Sequence, residues 1–315
     1  MTEPANFSRL GVLLNPNSGN MRKNLHTLRG QFKALNATLY REAWDNQSLT
    51  ETLTELASAR LDALIIAGGD GTIQASIDYL AKHVPSKHWP ALMLFPGGTT
   101  NMTCGDLGLK GATDQAFTRL KTLLENSASA NITSRPALAI VTEQTVHGFF
   151  LGLGLIARGV EFSRGQVKGM GLTGRLFSVL IALRSLVGLL AGRDDPAWQP
   201  SQLAFVHDKL PKGRYLLGLV STLRTLEFGL TPFWGSEPFE LHATFIEQPP
   251  KQIWRRLWPL ARGKSCPDDA ALGYHSFNAT ELTLTLDEGF IVDGESYQAH
   301  GALTISLTEP FRFVN

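Results

Sequence analysis

Three apolar runs in the first hundred residues each end in a loop rich in glycine, asparagine, serine or threonine. This repeated grammar constrains the fold most. Leu10–Leu14 (LGVLL) runs into Asn15-Pro16-Asn17-Ser18-Gly19, and Leu61–Ala67 (LDALIIA) into Gly68-Gly69-Asp70-Gly71-Thr72. Pro90–Phe95 (PALMLF) runs into Pro96-Gly97-Gly98-Thr99-Thr100-Asn101. Short apolar runs bounded by turn signals read as buried strands. Helical spacing lies between them at Leu25–Leu35, Ser48–Ala59 (with Ser48 or Asn46 as cap), Ile73–Leu80 and Gln115–Leu124. Ala37–Tyr40 reads as a short strand. Strand, loop and helix in alternation predict βαβ units and a parallel sheet.

The pattern changes after residue 133. Ala137–Val141, Gly148–Leu153, Gln202–Val206, Tyr215–Ser221, Glu240–Phe245, Glu281–Leu286, Phe290–Val292 and Leu303–Leu307 read as strands. Only Leu172–Ala191 and Lys251–Leu260 read as helices there. The expectation is a nucleotide-binding α/β domain over 1–133 and a mainly antiparallel β domain over 134–315. A chain of 315 residues suits two domains at about 150 residues each. Hydrophobic residues at 43% against 18% charged exclude global disorder. A formal net charge of +1 gives no whole-chain basic field, so no nucleic-acid partner is expected. Cys104 and Cys266 form no CxxC pair and no disulfide framework, which reads as an intracellular chain. Met1–Arg9 carries no signal-peptide pattern.

Two segments bear on membranes. Leu176–Ala191 is the most apolar window, but it is shorter than the about 20 residues of a spanning helix and holds Arg184, with Arg175 just before it. It reads as a buried or half-buried helix, or as a surface helix touching a bilayer. Ile253–Leu260 sets Trp254, Leu257, Trp258 and Leu260 beside Lys251, Arg255, Arg256, Arg262 and Lys264. Mixed Trp and Arg suit an anionic membrane interface. The competing reading is a solvated helix with aromatic anchors in the core.

Chemistry concentrates at the strand ends, where open α/β sheets bind ligands. A glycine-rich loop opening a helix brings bare N–H groups and the positive dipole end to a phosphate. Asp70 inside that loop would repel a phosphate unless a divalent cation bridges them, so it reads as a magnesium or catalytic carboxylate. Late in the chain, Asp293-Gly294-Glu295 is either a turn between two strands or a pair of carboxylates aimed into a cleft, one of them a general base. Other matches fall away. Gly263-Lys264-Ser265 has Trp258 where a P-loop needs its first glycine. The run 152–157 fits a dinucleotide fingerprint, yet Glu161 is too near and Asp194 too far to be its acidic partner. The eight histidines form no HExxH.

Taken together, Asn15-Pro16-Asn17-Ser18-Gly19, Gly68-Gly69-Asp70-Gly71-Thr72, Gly98-Thr99-Thr100-Asn101 and Asp293-Gly294-Glu295 resemble the diacylglycerol kinase catalytic-domain family. That family includes bacterial lipid kinases and the sphingosine and ceramide kinases. The resemblance implies an N-terminal three-layer α/β domain similar to NAD kinase and phosphofructokinase. A β-sandwich lipid-substrate domain would follow, its last segment packing back on the first domain. It implies ATP as phosphate donor and Mg2+ as cofactor. The nucleotide would be bound by Asn15, Ser18, Gly68, Gly69, Asp70, Gly71, Thr72, Gly98, Thr99 and Asn101. Glu295 matches the proton acceptor, and Asp70 and Asp293 match carboxylates of the magnesium and acceptor site. Three departures stand out. Met102 occupies a place where the family commonly has Asp, and Ala43 one where many members have Thr or Ser. The stretch 223–239 matches the family's structural magnesium loop poorly.

The leading expectation is an ATP-dependent lipid kinase acting on a diacylglycerol-like lipid, cytoplasmic and peripheral at the inner membrane face. A ceramide or sphingoid-base kinase is one alternative. An NAD kinase-like enzyme with a soluble substrate is another. A non-catalytic nucleotide- or lipid-binding regulator is a third, motivated by Met102. A homodimer is admitted as an assembly state.

Overall fold

The computed structural model describes residues 7–126, 130–160, 201–205 and 210–315. The expected helix Leu172–Ala191 lies outside the described residues. The chain divides into two units. One holds residues 1–137, 225–227 and 309–315, the other residues 138–224 and 228–308.

In the first unit, β1 (Leu10–Leu14), β3 (Ala63–Gly68) and β4 (Ala91–Pro96) are buried at every position. Continuous burial follows from helices covering both faces of a parallel sheet. The strand order is β2 (Leu39–Glu42), β1, β3, β4, and then the end of the last strand. All are parallel, in the register Val12↔Ile65↔Met93, with Phe313↔Leu92 at the edge. Period-two alternation splits the side chains between two faces. Val12, Ile65 and Met93 meet Leu28, Phe32 and Leu120 from α2 (Leu25–Lys33) and α6 (Thr113–Glu125). On the other face, a Cβ at Gly11 would stand 3.2 Å from Leu56 of α3 (Asn46–Ser58). The remaining helices are the short α1 (Gly19–Lys23), then α4 (Asp70–His83) and α5 (Met102–Leu107).

Several boundaries differ from the sequence expectation, three of them with a clear physical reason or consequence. α3 is capped by Asp45, not by Ser48 or Asn46. Asp45 Oδ1 accepts from Ser48 N at 2.7 Å and Asp45 N donates to Ser48 Oγ at 3.0 Å, a reciprocal box. β2 lies two residues later than expected, because its register is set by pairing Leu39–Glu42 with Gly11–Leu14. α4 begins at Asp70 rather than Ile73. Asp70, Gly71 and Thr72 of the glycine-rich loop therefore form the first turn of a helix.

The second unit is antiparallel and β-rich. β5 (Ile132–Val141) leaves the first unit and pairs with β6 (Thr145–Gly148). Then come β7 (Phe150–Gly154), β8 (Ser201–Phe205), β9 (Gly213–Ser221) and β10 (Leu241–Glu247). After α7 (Ile253–Ala261) follow β11 (Tyr274–Ala279), β12 (Leu282–Val292) and β13 (Glu295–Val314). The strand order is β11-β10-β9-β7-β12-β13, and β8 also pairs with both β9 and β12. Strands β7, β9, β8 and β12 thus close on one another. Leu153, Tyr215, Phe245, Phe277, Leu284 and Leu303 belong to its core. Among the described residues no helix is long and apolar enough to cross a membrane.

A candidate phosphate site at three strand ends

Strands β1, β3 and β4 run parallel, so their carboxyl ends deliver all three loops to one edge of the sheet. The loops are tied by backbone and short side chains. Gly97 N donates to Gly68 O at 2.9 Å and Asn20 N to Gly97 O at 2.8 Å. Ser18 Oγ accepts from Gly69 N at 3.1 Å, and Asn15 Nδ2 donates to Thr72 Oγ1 at 2.8 Å. Asn101 bridges its own loop, its Oδ1 accepting from Gly98 N at 2.7 Å and its Nδ2 donating to Gly98 O at 2.8 Å. Asn101 takes φ 55°, a left-handed conformation that Asn tolerates better than most residues.

The glycines permit this approach. A Cβ on Gly98 would stand 2.7 Å from Gly69 Cα, and one on Gly97 would stand 2.9 Å from Gly68 Cα. The structure therefore brings Asn15, Ser18, Gly68, Gly69, Asp70, Gly71, Thr72, Gly98 and Asn101 together. Thr99 is exposed beside them and lies against Gly19, where a Cβ would meet its methyl at 2.5 Å.

At the centre sits the N-terminus of α4, whose N-cap Gly69 contributes no side-chain bond. Its N–H groups and dipole favour an anion. Asp70 does not block that position. Its carboxylate accepts from Met102 N at 3.1 Å and Thr103 N at 3.0 Å, so the first residue of α4 caps α5. Burial pushes the Asp70 carboxyl above the usual carboxylate range, against the pull of the backbone N–H groups of Thr103, Met102 and Asn101. Sequence reasoning missed this cap, and the partner of Asp70 at Met102 is the backbone, not the side chain. Asp70→Asn is expected to lower stability by about 1–3 kcal/mol, because one N–H would then face an amide NH2. Urea unfolding measures this, and an unchanged midpoint would show that the cap carries no weight.

Cys104 follows in α5. It is buried, its thiol is pushed up to about 12 by burial and then by Asp70, and its Sγ lies 3.3 Å from Leu94 O. It is a packing residue rather than a nucleophile. Both cysteines are free thiols.

The other expected carboxylates belong to the second unit. Asp293 and Gly294 have φ of 47° and 90° and form a two-residue turn joining β12 to β13, with Val292 paired to Glu295. Positive φ at both central positions is the hairpin geometry that Asp-Gly suits. The reading of both carboxylates as projecting from the turn is corrected for Asp293. It is 4% exposed, and its Oδ2 and Oδ1 accept from Phe149 N and Phe150 N, each at 2.9 Å. Asp293 N in turn donates to Phe150 O at 2.9 Å. The side chain thus pins the hairpin to the start of β7. Glu295, one residue past the turn, is half-buried. Asp293→Ala is expected to cost about 2–5 kcal/mol, since two buried N–H groups lose their acceptor. A midpoint within error of wild type would contradict that role.

No group of three or more His, Cys, Asp or Glu able to cage a metal occurs among the described residues. Asp70 is the one carboxylate within the three loops, and both of its oxygens accept backbone N–H groups, so the loops offer magnesium a single carboxylate.

Residues 9–133 match the family model described as the diacylglycerol kinase catalytic domain. No curated protein sequence matches the chain. Solved structures share its fold. A diacylglycerol kinase from Bacillus anthracis str. Sterne is similar at a TM-score of 0.62 and 16% identity, over 99% of this chain and 97% of that one. Two further structures from the same organism, provisionally assigned as diacylglycerol kinases, are similar at TM-scores of 0.69 and 0.68. Each is 17% identical over 98% of this chain and 96% of that one. Likeness at this identity establishes the fold and not the activity.

Proposed function

We propose that this protein is an ATP-dependent lipid kinase that transfers the γ-phosphate to a hydroxyl of a diacylglycerol-like lipid. One observation carries the reading. Three strand-end loops converge on the N-terminus of α4, whose N-cap is a glycine, inside the segment that matches a diacylglycerol kinase catalytic domain.

In this reading the ATP phosphates lie on the loops of the first unit. Backbone N–H groups of the α4 first turn face the phosphate oxygens. Ser18 and Thr72 already accept a hydrogen bond at their oxygens, so each can donate its hydroxyl proton outward. Gly98 and Gly69 keep the loops close enough to act as one cradle. Asp70, the carboxylate within the three loops, would help hold magnesium, and the ion would supply charge neutralisation for the phosphates.

The acceptor oxygen bonds to the γ-phosphorus as the bond to the β–γ bridging oxygen breaks, and ADP leaves. The proton lost by the lipid hydroxyl goes to Glu295. Asp293 is a positioning residue here, since its carboxylate is engaged by the Phe149 and Phe150 N–H groups. A lipid acceptor places the enzyme at the inner membrane face.

A panel of acceptors tests the reading. Labelled ATP and magnesium would be offered diacylglycerol, monoacylglycerol, ceramide, sphingosine and phosphatidylglycerol in mixed micelles, with NAD as a soluble control. Label on a glycerolipid is the expected result. Label on ceramide or sphingosine would move the acceptor class, and label on NAD alone would overturn the lipid reading.

A further inference from the structure

α7 buries a charge and exposes its large apolar side chains, the reverse of a helix packed on a core. Its inward positions are Ile253, Arg256 and Leu260. Arg256 is 8% exposed, with Nη1 donating to Asp269 Oδ1 at 2.7 Å and Nη2 to Pro267 O at 2.6 Å. Leu260 packs with Ile246 and Tyr274, and Tyr274 Oη donates to Lys251 O at 2.6 Å. The helix is therefore fixed in orientation by its buried side. On its outer side Trp254 is 49% exposed, Leu257 39% and Trp258 65%. Leu230 continues the patch, because the next residue, Thr231, donates its N–H to Ala261 O at the end of α7. Trp254 and Trp258 therefore do not anchor the helix in the core.

The charges on α7 and its immediate flanks have one sign. Between 251 and 264 the chain holds Lys251, Arg255, Arg256, Arg262 and Lys264 and no acidic residue. Arg256 is neutralised by Asp269. Lys251, Arg255, Arg262 and Lys264 are exposed, and the Arg262 guanidinium lies 4.1 Å from the centre of the Trp258 ring. We propose that α7 is a docking element for an anionic lipid bilayer, with Trp254, Leu257 and Trp258 entering the headgroup boundary and the four cations facing lipid phosphates. Indole rings flanked by cations suit that boundary, apolar at one end and wet at the other.

A second copy of the chain is the other candidate occupant. A two-fold contact through this face would bring the cations Arg255, Arg262 and Lys264 of one copy towards the same cationic set of the other, which like-charge repulsion opposes. The proposal deepens the lipid-kinase reading by naming the surface that meets the membrane. It rests on that reading for its purpose alone, because docking is measured without turnover.

The full chain would be sedimented with vesicles of phosphatidylcholine alone and of phosphatidylcholine with phosphatidylglycerol, at low and high salt. Binding to the anionic vesicles, weakened by salt and accompanied by a blue shift of tryptophan emission, is expected. Trp254→Ala with Trp258→Ala, and separately Arg255→Ala with Arg262→Ala and Lys264→Ala, should each weaken it roughly tenfold or more. All five side chains are exposed, and circular dichroism checks that each variant is folded. Wild type that ignores anionic vesicles, or folded variants that bind as wild type does, would overturn the proposal. So would a wild-type dimer that Trp254→Ala with Trp258→Ala dissociates. Docking without transfer to any lipid supports the surface and counts against the kinase alone.

Discussion

Gly98→Ala is expected to lower phosphate transfer by roughly 10²-fold and stability by about 1–3 kcal/mol. The added methyl would stand 2.7 Å from Gly69 Cα and 3.0 Å from Asn101 Oδ1. The first neighbour is backbone, so no side-chain rotation relieves the clash and the loops must part. Parting them moves the N-terminus of α4 away from the Asn101 loop, and a displacement of about 1 Å is enough to cost two orders of magnitude in a positioned reaction. Gly30→Ala is the control. Gly30 sits exposed inside α2 with nothing within 4 Å of a new Cβ, and alanine there should stabilise by about 0.5–1 kcal/mol without touching transfer. Steady-state rates and urea unfolding of both variants check the pair. Full activity in a folded Gly98→Ala protein would remove the cradle from the account.

Glu295→Gln is expected to reduce kcat by about 10²–10⁴-fold while ATP affinity stays near wild type. The amide keeps the size of the side chain and cannot take a proton. Glu295 is not among the residues assigned to the phosphates, so nucleotide binding should survive. Asp293 cannot substitute as base, since two backbone N–H groups occupy its buried carboxylate. The split between kcat and ATP binding is the informative readout, because misfolding would lower both together. A wild-type kcat would exclude Glu295 as the proton acceptor.

The parallel half of the fold is legible in the sequence because it depends on local features. Apolar runs such as Ala63–Gly68 are buried on both faces, and the glycines that end them stand where backbones meet. What the sequence hides is long-range pairing. The Asp70 cap joins it to residues 32 and 33 positions away, and nothing near Asp70 announces it. β11 (YHSFNA) carries His275, Ser276 and Asn278, which break any apolar alternation, and their partners are distant. His242 Nδ1 lies 2.8 Å from Asn278 Oδ1, and Asn278 Nδ2 donates to Glu237 O at 2.7 Å. β12 reads as two strands because Asp287-Glu288-Gly289 interrupts its apolar pattern, yet pairing with Gln298–His300 carries it through. In α7 the spacing is visible but the buried face is not. Asp269, thirteen residues on, decides it by drawing Arg256 inward.

The central claim is that the loops at Asn15–Gly19, Gly68–Thr72 and Gly97–Asn101 hold the phosphates of ATP. Backbone hydrogen exchange, followed peptide by peptide with and without ATP and magnesium, tests it most directly. The account predicts slowed exchange in these three segments together, strongest over the first turn of α4, with little change in β9 to β11. Nucleotide binding that protects other segments and leaves these three unchanged would contradict it.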